Sequence, residues 1–162
     1  MKILLPIDGS PAALAAVHHA LHLRRAGLPA SFVLVNIQEP STLYEVVVTH
    51  DTDKLTEIKR GAGTDLLAPA EALLDAADAD YESEVASGEP ATLLVELLEN
   101  YGADAVFMGS SGMAEPGAEG LGSVALALLR HSPVPVTVVR AGAVAPEALF
   151  AGVEMTGLSL TP

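Results

Sequence analysis

The stretch AVFMGSSG at residues 105–112, followed after nine residues by GS at residues 122–123, decides the fold prediction. Four apolar residues form a strand-like run, two glycines then enclose two serines, and a helix-like run begins at Val124. Glycines let backbone amides approach a ligand closely, and the N-terminus of a helix favours negative charge. The pattern G-x2-G-x9-G-S therefore predicts a phosphate-binding loop between a strand and a helix.

The rest of the chain alternates strand-like and helix-like segments, which is typical of a parallel sheet with crossover helices. Strands are predicted at residues 2–7, 32–37, 81–86, 105–108 and 134–139. Periodicity is lost between residues 38 and 63, where we expect only a short helix at 55–60 before a separate helix at 66–77. The sequence therefore predicts an α/β fold with a doubly wound parallel sheet, in which ligands bind at the carboxyl ends of the strands. Asp8 and Gly109 both lie at such ends.

Length, composition and charge narrow the possible functions. With 162 residues, half of them hydrophobic, the chain suits one domain with a sizeable core. It contains no apolar run of about 18 residues and no signal-peptide pattern, so we expect a cytoplasmic protein without membrane insertion. The absence of cysteine excludes disulfides and thiolate chemistry. A net charge of −13 would repel nucleic acid and anionic membranes, so neither is an expected partner.

Four segments carry a resemblance to a known family. They are ILLPIDGS at 3–10, GEP at 88–90, MGSSG through GS at 108–123, and LRHSPVPVTVVR at 129–140. In this order and spacing the sequence resembles the universal stress protein family over about residues 1–140. The complete glycine motif resembles that of the ATP-binding branch. The resemblance implies a nucleotide-binding domain with a five-stranded open sheet in the order 3-2-1-4-5, helices on both faces, and a C-terminal extension of uncertain structure at 141–162.

The resemblance also implies a site for an adenine nucleotide. Its expected residues are Pro6, Asp8, Ile37, Met108, Gly109, Gly112, Gly122, Ser123 and Val124. Asp8 would accept a hydrogen bond from the adenine or ribose, and Ile37 would contact the adenine. The backbone amides of Gly112, Gly122, Ser123 and Val124 would surround the phosphates, which agrees with the physics of a helix N-terminus.

The nine-residue spacer departs from the family pattern. It contains Glu115 and Glu119 and no basic residue, whereas many family members place bases there. These carboxylates would oppose a triphosphate unless a divalent cation such as Mg²⁺ lies between them. The ligand therefore stays open between ATP, with or without Mg²⁺, and AMP or ADP.

The sequence contains no recognisable catalytic constellation. It has no G-x-S-x-G elbow, no Walker A lysine after the glycines and no obvious base to activate a water molecule. His18 and His22 lack the carboxylate pattern of a metal site and predict a solvated helix face, so no metal ligands are expected. We expect nucleotide binding with, at most, slow ATP hydrolysis.

The favoured function is a nucleotide-responsive regulator in the stress response. The alternatives are a nucleotide-independent dimeric module that regulates a partner such as a transporter, and a slow ATPase. The apolar fifth strand at 134–139 is an edge that pairing in a homodimer would satisfy. The extension at 141–162 would cover that edge, cross to a partner subunit or remain disordered.

Overall fold

Five parallel strands form one open sheet in the order β3-β2-β1-β4-β5, as predicted. The computed structural model describes residues 1–112 and 120–143. The strands are β1 (Lys2–Pro6), β2 (Ser31–Gln38), β3 (Tyr81–Ser87), β4 (Ala105–Gly109) and β5 (Val136–Val139). The helices are α1 (Pro11–Arg25), α2 (Leu43–Thr49), α3 (Thr52–Ala76), α4 (Pro90–Tyr101) and α5 (Ser123–His131).

Helices cover both faces of the sheet, because side chains alternate along each strand. On one face, Ile3 and Leu5 of β1 pack with side chains from α1 and α3. On the other face, Leu4 packs with side chains from α4 and α5. Burial of each such side chain contributes roughly 1.5–3 kcal/mol relative to leaving it in water. The two cores hold the carboxyl ends of β1 and β4 side by side, where the strand order reverses direction.

The region between β2 and β3 is more helical than the sequence predicted. The expectation of a short helix at 55–60, separate from one at 66–77, is wrong because α3 runs unbroken through Gly63 and Pro69. A β-carbon on Gly63 would lie 2.5 Å from Cγ1 of Val85, so this glycine allows close packing on β3 and does not end the helix. In front of α3, Thr42 and Glu45 form a capping box that begins α2.

The fifth strand is shorter than predicted and lies at the edge of the sheet. It begins at Val136, because Pro135 has no N–H and Ser132 forms a turn with the backbone of Val134. Val139 packs on Ala15 and Ala16 of α1. Most of the extension, residues 144–162, lies outside the described residues, so the structure does not test whether it covers this edge. Within residues 1–112 and 120–143, no helix has the length and apolar character needed to cross a membrane.

Candidate functional site

A cavity of about 580 Å³ opens at the carboxyl edge of the sheet, between β1 and β4. Its volume falls in the range of small-molecule sites, about 300–1,000 Å³. All nine residues expected from the sequence line it: Pro6, Asp8, Ile37, Met108, Gly109, Gly112, Gly122, Ser123 and Val124. The fold therefore brings together residues from three strand ends and the start of one helix.

The turn after β1 fixes one wall of the cavity. Gly9 has a φ of +84°, and a β-carbon there would lie 2.6 Å from Cδ2 of Leu66. Ser10 donates its amide N–H to Oδ1 of Asp8 at 2.9 Å and caps α1 by accepting from the amide of Ala13 at 3.1 Å. The Ser10 hydroxyl also donates to the carbonyl of Ser111 at 3.4 Å. This one serine thus ties the loop after β1 to the loop after β4.

The three glycines of the motif meet different surroundings. A β-carbon on Gly109 would lie 2.7 Å from backbone atoms of Ala12 and Ala13, so β4 can pack against α1 only with glycine here. A β-carbon on Gly112 would lie 2.7 Å from Oδ2 of Asp8. At Gly122 the nearest atoms would be 3.5 Å away, which is ordinary contact. Packing within the described residues therefore explains glycine at 109, where the contact is with backbone. At 112 a β-carbon would only displace the carboxylate of Asp8, and at 122 it would fit.

Backbone amides at the start of α5 face the cavity without a side-chain cap. Gly122 occupies the N-cap position with φ −64° and ψ 161°, and within residues 1–112 and 120–143 no side chain caps the first turn. The amide of Gly122 donates to the carbonyl of Ser110 at 2.7 Å, so its expected contact with a ligand stays a prediction. Ser123 and Val124 follow, and their amides bond no other described residue. They are the donors available to an anion at this end of the cavity.

The opposite wall comes from β2 and α4, and the sequence analysis missed most of it. Ile37 lies with Val35 and Leu94 around an apolar part of the cavity, beside the exposed carboxylates of Glu39 and Glu89. Glu89 is the N-cap of α4 and accepts from the amides of Thr92 at 2.7 Å and Ala91 at 3.2 Å. Glu39 directly follows β2 and Glu89 directly precedes α4, and these two positions are the sequence signal that marks this wall.

These hydrogen bonds also set the charge of Glu89. The bonds from Thr92, and then the bond from the Ala91 amide, lower the pKa of the Glu89 carboxyl below its ordinary value of 4.5. The carboxylate is therefore ionised at neutral pH. Of the described residues that line the cavity, Asp8, Glu39 and Glu89 are acidic and none is Lys, Arg or His. An anion in this cavity would be held by backbone amides and hydroxyls and not by a basic side chain.

Two further expectations concern metal ions. Among residues 1–112 and 120–143, no group of three or more His, Asp or Glu side chains is arranged to hold a metal ion. Glu115 and Glu119, from which the sequence analysis argued for Mg²⁺, lie outside the described residues. The suggestion of Mg²⁺ accordingly stays a prediction.

Comparison with known proteins gives the family. The model of the universal stress protein family matches residues 1–140. A universal stress protein of Methanocaldococcus jannaschii is 26% identical over 139 residues, which cover 86% of this chain and 81% of the relative.

Solved structures of the same family share the fold. Universal stress protein UspA from Lactobacillus plantarum superposes with a TM-score of 0.74 at 20% identity, covering 86% of this chain and 97% of that chain. A universal stress protein in complex with cAMP gives a TM-score of 0.59 at 26% identity, covering 86% of this chain and 95% of that chain. The chain therefore belongs to the universal stress protein family.

Proposed function

We propose that the cavity binds an adenine nucleotide with its phosphate at the start of α5. The observation that carries this proposal is the pair of amides at Ser123 and Val124, which bond no other described residue and line a cavity with an apolar far wall. A helix N-terminus offers such amides together with a partial positive charge of about one half. The cAMP complex of a relative 26% identical supports an adenine base as the other half of the ligand.

Ile37, Val35 and Leu94 provide the apolar contact for the base. Asp8 lies between this wall and the start of α5, where its carboxylate can accept from a ribose hydroxyl. This arrangement agrees with the family pattern and orients the nucleotide across the ends of β2, β1 and β4. The resemblance to the ATP-binding branch and the lining residues thus support the same ligand class.

A monophosphate suits this cavity better than a triphosphate. The described lining has three carboxylates and no basic side chain, and the spacer sequence adds two glutamates. Each added phosphate brings negative charge that backbone amides alone do not neutralise. We therefore propose AMP as the tightest ligand, with ADP and ATP weaker and dependent on Mg²⁺.

Calorimetric titration with AMP, ADP and ATP, each with and without Mg²⁺, tests this order of affinity. We expect saturable binding of AMP, weaker binding of ATP, and recovery of part of the ATP affinity with Mg²⁺. Adenosine and GMP serve as controls that remove the phosphate and change the base. The absence of binding heat at millimolar concentrations of every nucleotide would contradict the proposal and favour a nucleotide-independent interaction module.

The variant Ser123→Pro tests the amide itself. Proline is well accepted at the first position of a helix, and the preceding Gly122 is already extended as proline requires. Loss of one amide donor to a charged group costs about 1.5–3 kcal/mol, so AMP should bind at least tenfold more weakly. Ser123→Ala is the matched control, because it removes the hydroxyl and keeps the amide. Equal affinities for the two variants would show that the amide is not used.

We further propose that nucleotide binding serves regulation in the stress response and not turnover. The sequence has neither a G-x-S-x-G elbow nor a Walker A lysine, and binding alone can shift a protein between states. Incubation of the protein with ATP, followed by separation of the nucleotides, measures any hydrolysis. Steady multiple turnover that is abolished in Asp8→Ala would favour the slow ATPase instead.

A homodimer through β5 is the second part of the proposal. The amide of Val106 donates to the carbonyl of Pro135, and the amide of Ser110 donates to that of Val139, so alternate residues of β5 face β4. Val136 and Val138 then direct their backbone groups outward, where a second copy can pair. Leu126 and Leu129 on α5 are also exposed.

Proline substitution at the edge tests the homodimer. Val138→Pro removes an outward amide and keeps the pairing with β4, so sedimentation should change from about twice 16.6 kDa to a monomer. Ser83→Pro is the matched control, because it places the same lesion on the outward side of β3 at the opposite edge. A wild-type monomer, or a dimer that survives Val138→Pro, would exclude this interface.

A further inference from the structure

Three polar residues of the described chain are buried, and all three lie in the region of the candidate cavity. Ser10 and Ser110 line the cavity itself, at 3% and 7% exposure. Asn36 is the most buried of the three at 2%, yet it is not among the described residues that line the cavity. A buried polar side chain loses its contacts with water, so its presence in a core needs a reason. Contact with a ligand does not supply that reason for Asn36.

Asn36 lies near the carboxyl end of β2, on the face of the sheet that α3 covers. Its neighbours Val35 and Ile37 line the cavity, and because side chains alternate along a strand, Asn36 points to the opposite face. A β-carbon on Gly63 of α3 would lie 2.8 Å from Oδ1 of Asn36, so α3 packs directly over this side chain. Asn36 consequently lies behind the cavity wall and can act on a ligand only through that wall.

Both polar atoms of the Asn36 side chain have a partner. Nδ2 donates to the carbonyl of Ile7 at 2.8 Å, and Oδ1 accepts from Nε2 of Gln38 at 2.6 Å. A carbonyl oxygen only accepts, so the nitrogen of the Asn36 amide, and not its oxygen, must face Ile7. Gln38 supplies the matching donor to the oxygen. The two partners therefore hold the amide in one orientation.

The bond to Ile7 lies where the hydrogen-bond ladder between β1 and β2 would continue. The amide of Ile7 donates to the carbonyl of Val35 at 2.8 Å, and in a parallel pair the next bond would join the amide of Ile37 to the carbonyl of Ile7. The described residues do not form that bond, and Asn36 donates to the carbonyl instead. The side chain thus replaces a backbone bond at the point where the chain leaves β1 and enters the cavity wall.

Ile7 directly precedes Asp8, the acidic residue proposed to accept from the ribose. The peptide group between them is planar, so a bond to its carbonyl fixes the plane from which the Asp8 backbone continues. On its other side Asp8 is held by the amide of Ser10, which donates to Oδ1 at 2.9 Å. Asn36 and Ser10 therefore act on the same carboxylate, one through the backbone and the other directly.

We propose that Asn36 is a positioning residue of the nucleotide site, which sets the orientation of the Asp8 carboxylate through the carbonyl of Ile7. This role rests on the proposed function, because it requires that Asp8 contact the nucleotide. An apolar side chain of similar shape would suit the core of β2, where residues 32–35 are all apolar and buried. What asparagine adds at this position is a hydrogen-bond donor behind Asp8.

NMR of the full chain without nucleotide tests the positioning step. The amide of Ser10 reports on the Asp8 carboxylate, because its chemical shift and its exchange with solvent depend on the bond to Oδ1. Asn36→Leu removes the donor and leaves no space for water in its place. We expect a shifted Ser10 signal and exchange of this amide at least about tenfold faster in the variant. Asn36→Ala makes the same comparison with a smaller side chain, in case leucine prevents folding.

Two further variants separate positioning from a general loss of stability. Leu74→Ala truncates a buried side chain in the core cluster that contains Ile7, so it should lower the Tm and leave the Ser10 signal in place. Gln38→Leu removes the other partner of Asn36 and keeps the bond to Ile7, so its effect on the Ser10 signal should be small. An unchanged Ser10 signal in both Asn36 variants, or an equal change in Leu74→Ala, would overturn the proposal.

The affinity for AMP tests the consequence for the site. Asn36→Leu should weaken AMP binding by about tenfold, which is the loss expected for one hydrogen bond to a charged group. The double variant with Asp8→Ala should bind no more weakly than Asp8→Ala alone, because Asn36 acts through Asp8. Additive losses would contradict this route. Absence of AMP binding by the wild type would refute the proposed function, whereas normal AMP binding with an unchanged Ser10 signal in the Asn36 variants would refute only the role of Asn36.

Discussion

Two helices begin at the cavity, and their first turns are built in opposite ways. Helix α4 begins with Glu89, whose carboxylate accepts two of its amides, and with Pro90, which has no N–H to offer. Helix α5 begins with Gly122 and Ser123 and has no side-chain cap. Both starts line the same cavity. At α4 the carboxylate of Glu89 therefore accepts from the first amides, whereas at α5 the amides of Ser123 and Val124 bond no other described residue.

This difference indicates where an anion can bind. The four N-terminal amides of a helix lack partners within the helix and must be satisfied by a cap, by water or by a ligand. The Glu89 carboxylate does so at α4 and adds a negative charge that would repel a phosphate. At α5 the amides of Ser123 and Val124 bond no other described residue, which supports the proposed position of the phosphate there and of the base at the opposite wall.

The largest effect should come from giving α5 the kind of cap that α4 has. Gly122→Asp introduces a carboxylate at an N-cap with extended backbone, and a β-carbon has room there because its nearest atoms would be 3.5 Å away. The new carboxylate would accept from the amide of Val124, the second helical residue, and would repel phosphate. AMP affinity should fall by about a hundredfold, because the loss of one charged hydrogen bond costs about 1.5–3 kcal/mol and the repulsion adds to it. Calorimetry measures the affinity, and thermal unfolding measures the stability.

The stability of the Gly122→Asp variant should not fall with its affinity for AMP. A good cap exceeds glycine by a few tenths of a kcal/mol, so the variant should be as stable as the wild type or slightly more so. Gly122→Asn is the matched control, because it caps the helix without the charge and should lose less affinity. AMP binding that is unchanged in Gly122→Asp would place the phosphate elsewhere.

The next prediction separates glycine needed for packing from glycine needed at the helix start. In Gly109→Ala the new methyl group would lie 2.7 Å from backbone atoms of Ala12 and Ala13, which cannot yield without moving α1 away from β4. Such overpacking costs about 1–3 kcal/mol, measured by urea unfolding in the absence of nucleotide. Gly122→Ala is the matched control and should change the free energy of unfolding by less than about 1 kcal/mol. Equal losses in both variants would contradict this division of roles.

The parts of the molecule that could be predicted from sequence are those decided by local pattern. The apolar run from Ala105 to Met108 and the glycines that follow predicted β4 and the loop, and each of the five predicted strands is present. Continuity of α3 could not be predicted, because Gly63 resembles a helix breaker until its contact with Val85 is known. The long-range packing of α3 on β3 overrides the local signal.

The candidate site divides in the same way. Nine of its residues could be predicted, because the resemblance and the strand ends point to them. Glu39 was missed because it follows β2 in a region without periodicity, and the role of Glu89 depends on a wall formed by distant parts of the chain. The hydrogen bond from Gly122 to Ser110 is a matter of loop geometry that no residue pattern encodes. The sequence therefore identified the segment that contains the amide donors, whereas the structure identified which of these amides bond no other described residue.

The smallest expected effect concerns the capped helix. Glu89→Gln leaves a neutral side chain at the start of α4 in place of a carboxylate that accepts two amide bonds. Those bonds lower the pKa of Glu89 below 4.5, so the carboxylate stabilises the fold above the ordinary glutamate pKa, and this contribution is lost as pH falls through the lowered value. The Tm of the variant should lie slightly below that of the wild type at neutral pH, and the two should converge in acid.

Glu99→Gln, at the other end of α4, is the control and should not lower the Tm, because a negative charge near a helix C-terminus is unfavourable. A difference in Tm that persists undiminished at low pH would mean that the charge of Glu89 does not cap the helix, and the contrast between the two helix starts would then rest on α5 alone.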